Sequence, residues 1–307
     1  MNFNCTRIKM KNQQTKLNNI LNTISDAYAP NTIRAYKADF EELIVFCNQT
    51  KLSALPAKPA TIAKFIESVT NTNISSASIR RKLVSIAAIH RWADLNDPTK
   101  SPEVTLAVRK MHRKLGRLCA QAEPINKDRL QLMLSTIQND LRGKRDRTLL
   151  MLAYDTMRRR SELSSLLISD IRETNNGASI LLRRSKTDQE RLGTWLHITD
   201  PTYRQIHAWT IDANISSGKI LRGIKGNNRI TNGLTGAQIG RIFKRLAGFA
   251  GIDNETVSQI SGHSIRVGAA QDLLIAGASL PQIMVKGGWT KVDTVMRYIE
   301  KFGSQCN

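Results

Sequence analysis

Residues 261–268 read SGHSIRVG and place His263 three positions before Arg266. On a helix that spacing puts both side chains on one face. Downstream, Trp289 follows a Gly-Gly pair and Tyr298 lies in MRYI, residues 296–299; upstream, Arg159 and Glu162 stand in RRRSEL and Lys186 in RSKTD. Each has an ordinary explanation when taken alone, because a helical tyrosine usually packs and a tryptophan usually fills a core. Together they hold the groups needed to break a phosphodiester without a metal.

A phosphodiester is an anion that repels nucleophiles, so its non-bridging oxygens need cationic hydrogen-bond donors. Arginine serves best, being permanently charged and bidentate. Arg159 and Arg266, with His263 and the indole N–H of Trp289, could cradle those oxygens. If strands are to be rejoined without energy input, the nucleophile must form a linkage as reactive as the one it breaks. A tyrosine ester meets that requirement, which makes Tyr298 the candidate. Its phenol, with a reference pKa of ~10, must lose a proton during attack, and His263 is a suitable acceptor. The departing 5′ oxygen needs a proton, which Lys186 on a flexible hairpin could deliver. Arg158 competes for the role given to Arg159, and the spacing to Glu162 favours Arg159.

The elements that would hold these groups can be read from the apolar periods. Ile265, Val267, Ala269, Ala270, Leu273 and Leu274 predict a helix that ends before Gly277. A last helix over 291–300 has Val292, Val295, Met296 and Ile299 as its buried stripe, with Tyr298 roughly 110° from the stripe's centre. Strands are expected at 167–171, 178–184 and 194–198, the first two joined by a hairpin turn at NNG, residues 175–177. Before residue 122 the pattern is helical throughout, with helices opening at residue 30, between 59 and 70, over 78–95 and over 104–118. The first 26 residues are polar and lack a clear period, which predicts a flexible arm. The expectation is therefore an arm over 1–26, a helical DNA-binding domain over 27–122 and a catalytic domain over 123–307, mainly α with a small antiparallel sheet in the second domain.

Charge points the same way. The chain of 307 residues has 46 Lys and Arg against 25 Asp and Glu, a net charge of +21, and both halves share the excess. Two basic domains suggest a polyanion gripped by both, most simply double-stranded DNA. Arg80, Arg81 and Lys82 on the 78–95 helix, and Arg241, Lys244 and Arg245 on a helix over 236–250, are the candidates for a DNA groove. No run approaches a membrane span, no apolar start resembles a signal peptide, and the four cysteines form no C-x-x-C pair, so a reducing cytoplasmic compartment is expected. Nothing resembles a phosphate-binding glycine loop, an EF-hand or an HExxH site, and no cofactor or metal is expected.

The order Arg159, Glu162, Lys186, His263-x-x-Arg266, Trp289 and Tyr298, with GHSIRVGAA at 262–270 and GGWT at 287–290, resembles the tyrosine recombinase (phage integrase) family. The likeness covers the second half and extends more weakly into the first through NTIRAY at 31–36. It implies a two-domain, C-shaped clamp around DNA and a homotetramer on two paired sites. It further implies that Arg159, His263, Arg266 and Trp289 bind the scissile phosphate and that Lys186 protonates the leaving hydroxyl. Tyr298 would form a 3′-phosphotyrosyl link, and Glu162 would buttress the site. Met157 departs from the glycine common in the family two positions before the first arginine. A type IB topoisomerase would share the tyrosine and the cradle, but the helical first half and these two strings argue against it. A non-catalytic DNA-binding relative is the alternative of another class, and against it all six catalytic positions are filled.

Overall fold

The computed structural model describes residues 2–117, 121–185 and 193–303. The chain forms two compact units, residues 1–120 and 121–307.

Unit one is helical: α1 (Asn2–Thr23), α2 (Pro30–Gln49), α3 (Pro59–Thr70), α4 (Ser76–Trp92) and α5 (Pro102–Leu115). Proline opens α2, α3 and α5, where its missing N–H costs nothing. Ser75 and Ser101 cap α4 and α5 by accepting the amides of Ser78 and Val104, each at 3.2 Å. Phe40, Leu43 and Ile44 of α2, Phe65 and Ile66 of α3, and Ile79, Ile86 and Ile89 of α4 form the core. Cys47 lies in that core as a free thiol, and burial pushes its pKa up to about 12.

The arm expected over residues 1–26 is instead mostly the helix α1. Leu17, Leu21 and Ile24, spaced four and three apart, are buried in the unit's core and hold α1 against α2. The polar composition of the segment hid this short apolar stripe, and tertiary burial outweighs weak local propensity.

Unit two contains α6 (Lys127–Ser135), α7 (Leu141–Thr156), α8 (Arg160–Leu163), β1 (Ile171–Thr174), β2 (Gly177–Leu182) and β3 (Thr194–Ile198). It continues with α9 (Asp200–Asp212), α10 (Gly236–Phe249), α11 (Asn254–Gln259), α12 (Ser264–Ile275), α13 (Leu280–Gly287) and α14 (Val292–Gly303). The sheet is antiparallel in the order β1-β2-β3, with Ile180 opposite both Ile171 and Leu196. Ala178, Ile180, Leu182, Leu196 and Ile198 turn one face into a core shared with α7 and α10. The first strand starts at Ile171, later than the expected 167–171, because residues 168–170 coil into a short 3₁₀ turn. A smaller cluster of Met157, Ala269, Ala270, Ile283, Trp289 and Val295 lies beside the main core, and the candidate site is built on it. Among the described residues no helix is long and apolar enough to cross a membrane.

Candidate active site

The site begins where α7 ends. Met157 takes φ 51° and ψ 31°, the left-handed region that costs a non-glycine residue roughly 1–2 kcal/mol. That conformation explains why glycine suits this position, and full burial of the Met157 side chain in the smaller cluster helps offset the strain. The chain then turns sharply, and the next two arginines go to different partners. Arg158 is buried and donates from Nη2 to the Lys286 carbonyl at 2.7 Å, tying the corner to the end of α13. Arg159 donates from its amide to Glu162 Oε2 at 3.0 Å and from Nη1 to Glu162 Oε1 at 2.8 Å. Glu162 is itself buried, so one carboxylate fixes both the backbone and the guanidinium of Arg159. Arg158 thus holds structure together, and Arg159 keeps a partly exposed head.

His263 and Arg266 enter at the start of α12. The Ser261 amide donates to Ser264 Oγ at 2.8 Å and the His263 amide to Ser261 Oγ at 3.1 Å, which fixes the entry turn. A Cβ on Gly268 would fall 2.1 Å from the Ile125 carbonyl oxygen, so only glycine lets the 125–126 backbone lie against this helix. Arg266 is 3% exposed and donates from Nη1 to the Met157 carbonyl at 2.6 Å. Its guanidinium lies 4.0 Å over the Trp289 ring, a cation–π contact. Its Nη2 is buried and has no partner among the described residues. Burial first, then the charge of Arg159, lowers its pKa to about 10, with Glu162 opposing. The imidazole of His263 reaches solvent, yet desolvation by the surrounding protein is the first cause holding its pKa below 6.5. Arg266, Arg160 and Arg159 push in the same direction.

Trp289 is 6% exposed, and its ring fills the space where a Cβ on Gly287 would meet it at 1.8 Å. The Tyr298 ring stands 5.7 Å from the Trp289 ring, centroid to centroid, and is half-buried. The buried Gln271 of α12 donates to the Tyr298 carbonyl at 2.9 Å and fixes α14 at that point. Sequence reading missed Gln271 and the structural roles of Arg158 and Gly287; nothing in the sequence marks a glutamine that bonds a backbone oxygen 27 residues away. Of the expected stripe on α14, Val295 is buried, whereas Val292 and Met296 are more than a third exposed.

Arg159, Glu162, His263, Arg266, Trp289 and Tyr298 are therefore brought together at one place. Lys186 lies outside the described residues. The groove candidates divide. Arg80 is exposed, whereas Arg81 donates to Asp39 at 2.9 Å and Lys82 is buried between Asp39 and Glu42. Lys82 is thus a correction: two carboxylates of α2 draw its ammonium inward. On α10, Arg241 is exposed, Lys244 donates to the Ser258 carbonyl at 2.6 Å, and Arg245 is paired with the buried Asp146. Arg245 too is held mainly by the fold.

Residues 123–304 match the Phage integrase family, and residues 22–95 match its N-terminal SAM-like domain. The chain is 28% identical over 286 residues to an integrase/recombinase XerD homolog of Selenomonas ruminantium, covering 89% of this chain and 82% of that one. It is 25% identical over 277 residues to recombinase Cre of Escherichia phage P1, covering 85% and 81%. The fold is shared with XerH site-specific recombinase bound to its difH substrate, at a TM-score of 0.66 and 18% identity, over 96% of this chain and 84% of that one. A lambda integrase dimer bound to a core site gives a TM-score of 0.65 at 13% identity, over 93% and 94%. The architecture is that of a tyrosine recombinase. The chain belongs to the phage integrase family, the site-specific recombinases that cut and rejoin DNA strands.

Proposed function

We propose that this chain recombines duplex DNA at a specific site through a covalent 3′-phosphotyrosyl link at Tyr298. Arg159, His263, Arg266 and Trp289 hold the scissile phosphate, and Glu162 orients Arg159. His263 accepts the phenolic proton, and Lys186 returns one to the leaving 5′ oxygen. The observation that carries this reading is Arg266: a buried guanidinium beside a second arginine, with one nitrogen unpartnered and the candidate nucleophile a ring away. A buried donor without a partner costs about 1–3 kcal/mol, and a phosphate oxygen would satisfy it in the bound state. The same groups then bear more tightly on the doubly charged pentacoordinate phosphorane than on the ground-state diester, which is how such a cradle lowers a barrier.

Both units carry an excess of basic residues, which supports contacts from each of them to the duplex. Exchange between two paired sites requires every strand of both duplexes to be cut, one tyrosine for each, and a homotetramer supplies them. The protein acts where the DNA is, in the cytoplasm.

The test is trapping on a nicked suicide substrate, without added metal, followed by denaturing electrophoresis. A covalent adduct that vanishes in Tyr298→Phe is the expected result. Tight binding with no adduct on any DNA of the source replicon would mean a binding protein only. Supercoil relaxation without a preferred sequence would mean a topoisomerase.

A further inference from the structure

Of the three consecutive arginines, Arg158 is bonded to a carbonyl and Arg159 to Glu162. The Arg160 side chain makes no hydrogen bond or ion pair among the described residues, and the residue is exposed. Its stem is nevertheless firmly placed. A Cβ built on Gly262 would lie 2.8 Å from Arg160 Cδ and 3.3 Å from its Cβ. One built on Gly236 would lie 3.1 Å from Cγ and 3.3 Å from Cδ. Gly236 is the first residue of α10, and Gly262 directly precedes His263. Two glycines on separate elements thus leave a slot that the Arg160 methylenes fill, a packed stem with a solvated head.

We propose that Arg160 is a positioning residue for strand cleavage: its stem seats the His263 turn against the start of α10, and its guanidinium keeps a positive charge beside the imidazole. This rests on the reading that makes His263 the proton acceptor, and it adds a residue to that reading. The charged groups bearing on the imidazole are Arg266 of α12 and, around the start of α8, Arg159, Arg160 and Glu162. Of these, Glu162 alone favours the protonated ring, and Arg160 opposes protonation more strongly than Arg159 does. The turn after α13 and the helix α14 face the cradle with Trp289 and Tyr298. A neutral imidazole can take the phenolic proton, whereas an imidazolium cannot. An exposed guanidinium with no competing carboxylate can serve this purpose without the cost of burial.

The test compares Arg160→Met, which keeps a straight stem and loses the charge, with Arg160→Lys, which keeps both. Single-turnover adduct formation is followed from about pH 5 to about pH 8, the range over which an imidazole titrates. Arg160→Met should move the acid limb of the profile to higher pH, with the rate on the alkaline plateau retained. Arg160→Lys should return the limb toward its wild-type position. Should the methionine variant fold poorly by thermal melt, Arg160→Gln gives the same comparison. An Arg160→Met or Arg160→Gln profile that superimposes on the wild type overturns the proposal. A wild-type adduct that persists in Tyr298→Phe would instead overturn the reading of the site, so the two failures are distinguishable.

Discussion

Residues 80–82 and 158–160 are both runs of three consecutive cations, and the fold treats them in opposite ways. On α4, Asp39 and Glu42 meet the run from α2. Asp39, only 1% exposed, accepts from Arg81 at 2.9 Å and from Ser85 Oγ at 2.7 Å and faces Lys82 at 3.7 Å, while Glu42 takes Lys82 directly. Cation and carboxylate balance there, and only Arg80 is left for a partner. At the corner between α7 and α8, Glu162 is the carboxylate that bears on Arg158, Arg159 and Arg266 together. Positive charge accumulates in a partly buried place, and among the described residues Arg158 Nε and Arg266 Nη2 have no acceptor. A run of basic residues thus says little by itself. Carboxylates placed elsewhere in the chain decide whether it holds the protein together or waits for an anion.

The largest test of that contrast is Arg266→Met. Losing a donor aimed at the phosphorane should slow adduct formation by about 10²–10³-fold. Stability should hold or rise, because burial lowers the native guanidinium to about 10, well below its value in the unfolded chain. Between those values the unfolded chain holds a proton that the native chain has shed, so stability rises with pH across that window. At neutral pH the cost of burying the charge is therefore fully present, on the order of 3 kcal/mol. A marked drop in Tm would show that Arg266 supports the fold as Lys82 does, and the contrast would collapse.

The opposite result is expected at Asp39. Asp39→Asn removes the buried charge that faces Arg81 and Lys82 and should cost about 3 kcal/mol, read from urea unfolding of the full chain. The rate of adduct formation on saturating DNA should stay near wild type. Unchanged stability would mean that Glu42 and solvent suffice for both cations.

The contrast also shows what could be read in advance. The local signals were legible: the helical spacing of His263 and Arg266, the Gly-Gly pair before Trp289, and the alternation that gave β2 and β3. Arg159 could be preferred over Arg158 because Glu162 stands one helical turn ahead of it, and the carboxylate does hold it. Partners distant in sequence were not legible. Asp39 and Lys82 lie 43 positions apart, and nothing near Lys82 shows that it is buried. The same holds for Asp146 and Arg245 and for Gln271 and the Tyr298 carbonyl. α1 was missed for a related reason: its three apolar anchors are too few to show a period until α2 lies beside them. α11 and α13, six and eight residues long, are too short to carry one at all.

A smaller effect is expected from pH. Desolvation and three arginines lower the His263 pKa from the ordinary imidazole value, which favours the neutral ring at pH 7. The pH profile of kcat/KM, which reports free-enzyme groups, should be flat around neutrality and fall only below 6.5. A limb centred above 6.5 would mean that Glu162 outweighs the arginines in setting the proton.

The smallest effect separates neighbours within one run. Arg80 is exposed with no ion pair among the described residues, whereas Lys82 is buried against Asp39 and Glu42. Neutralising a residue that meets a DNA phosphate lowers the slope of log K against log salt by about one. Arg80→Gln should do so and weaken binding at every sequence alike. Lys82→Met should leave the slope unchanged and lower Tm, because it strips a counterion from the buried Asp39. If the two variants change the slope equally, then DNA draws Lys82 away from its carboxylates, and the pairing on α4 describes the free protein alone.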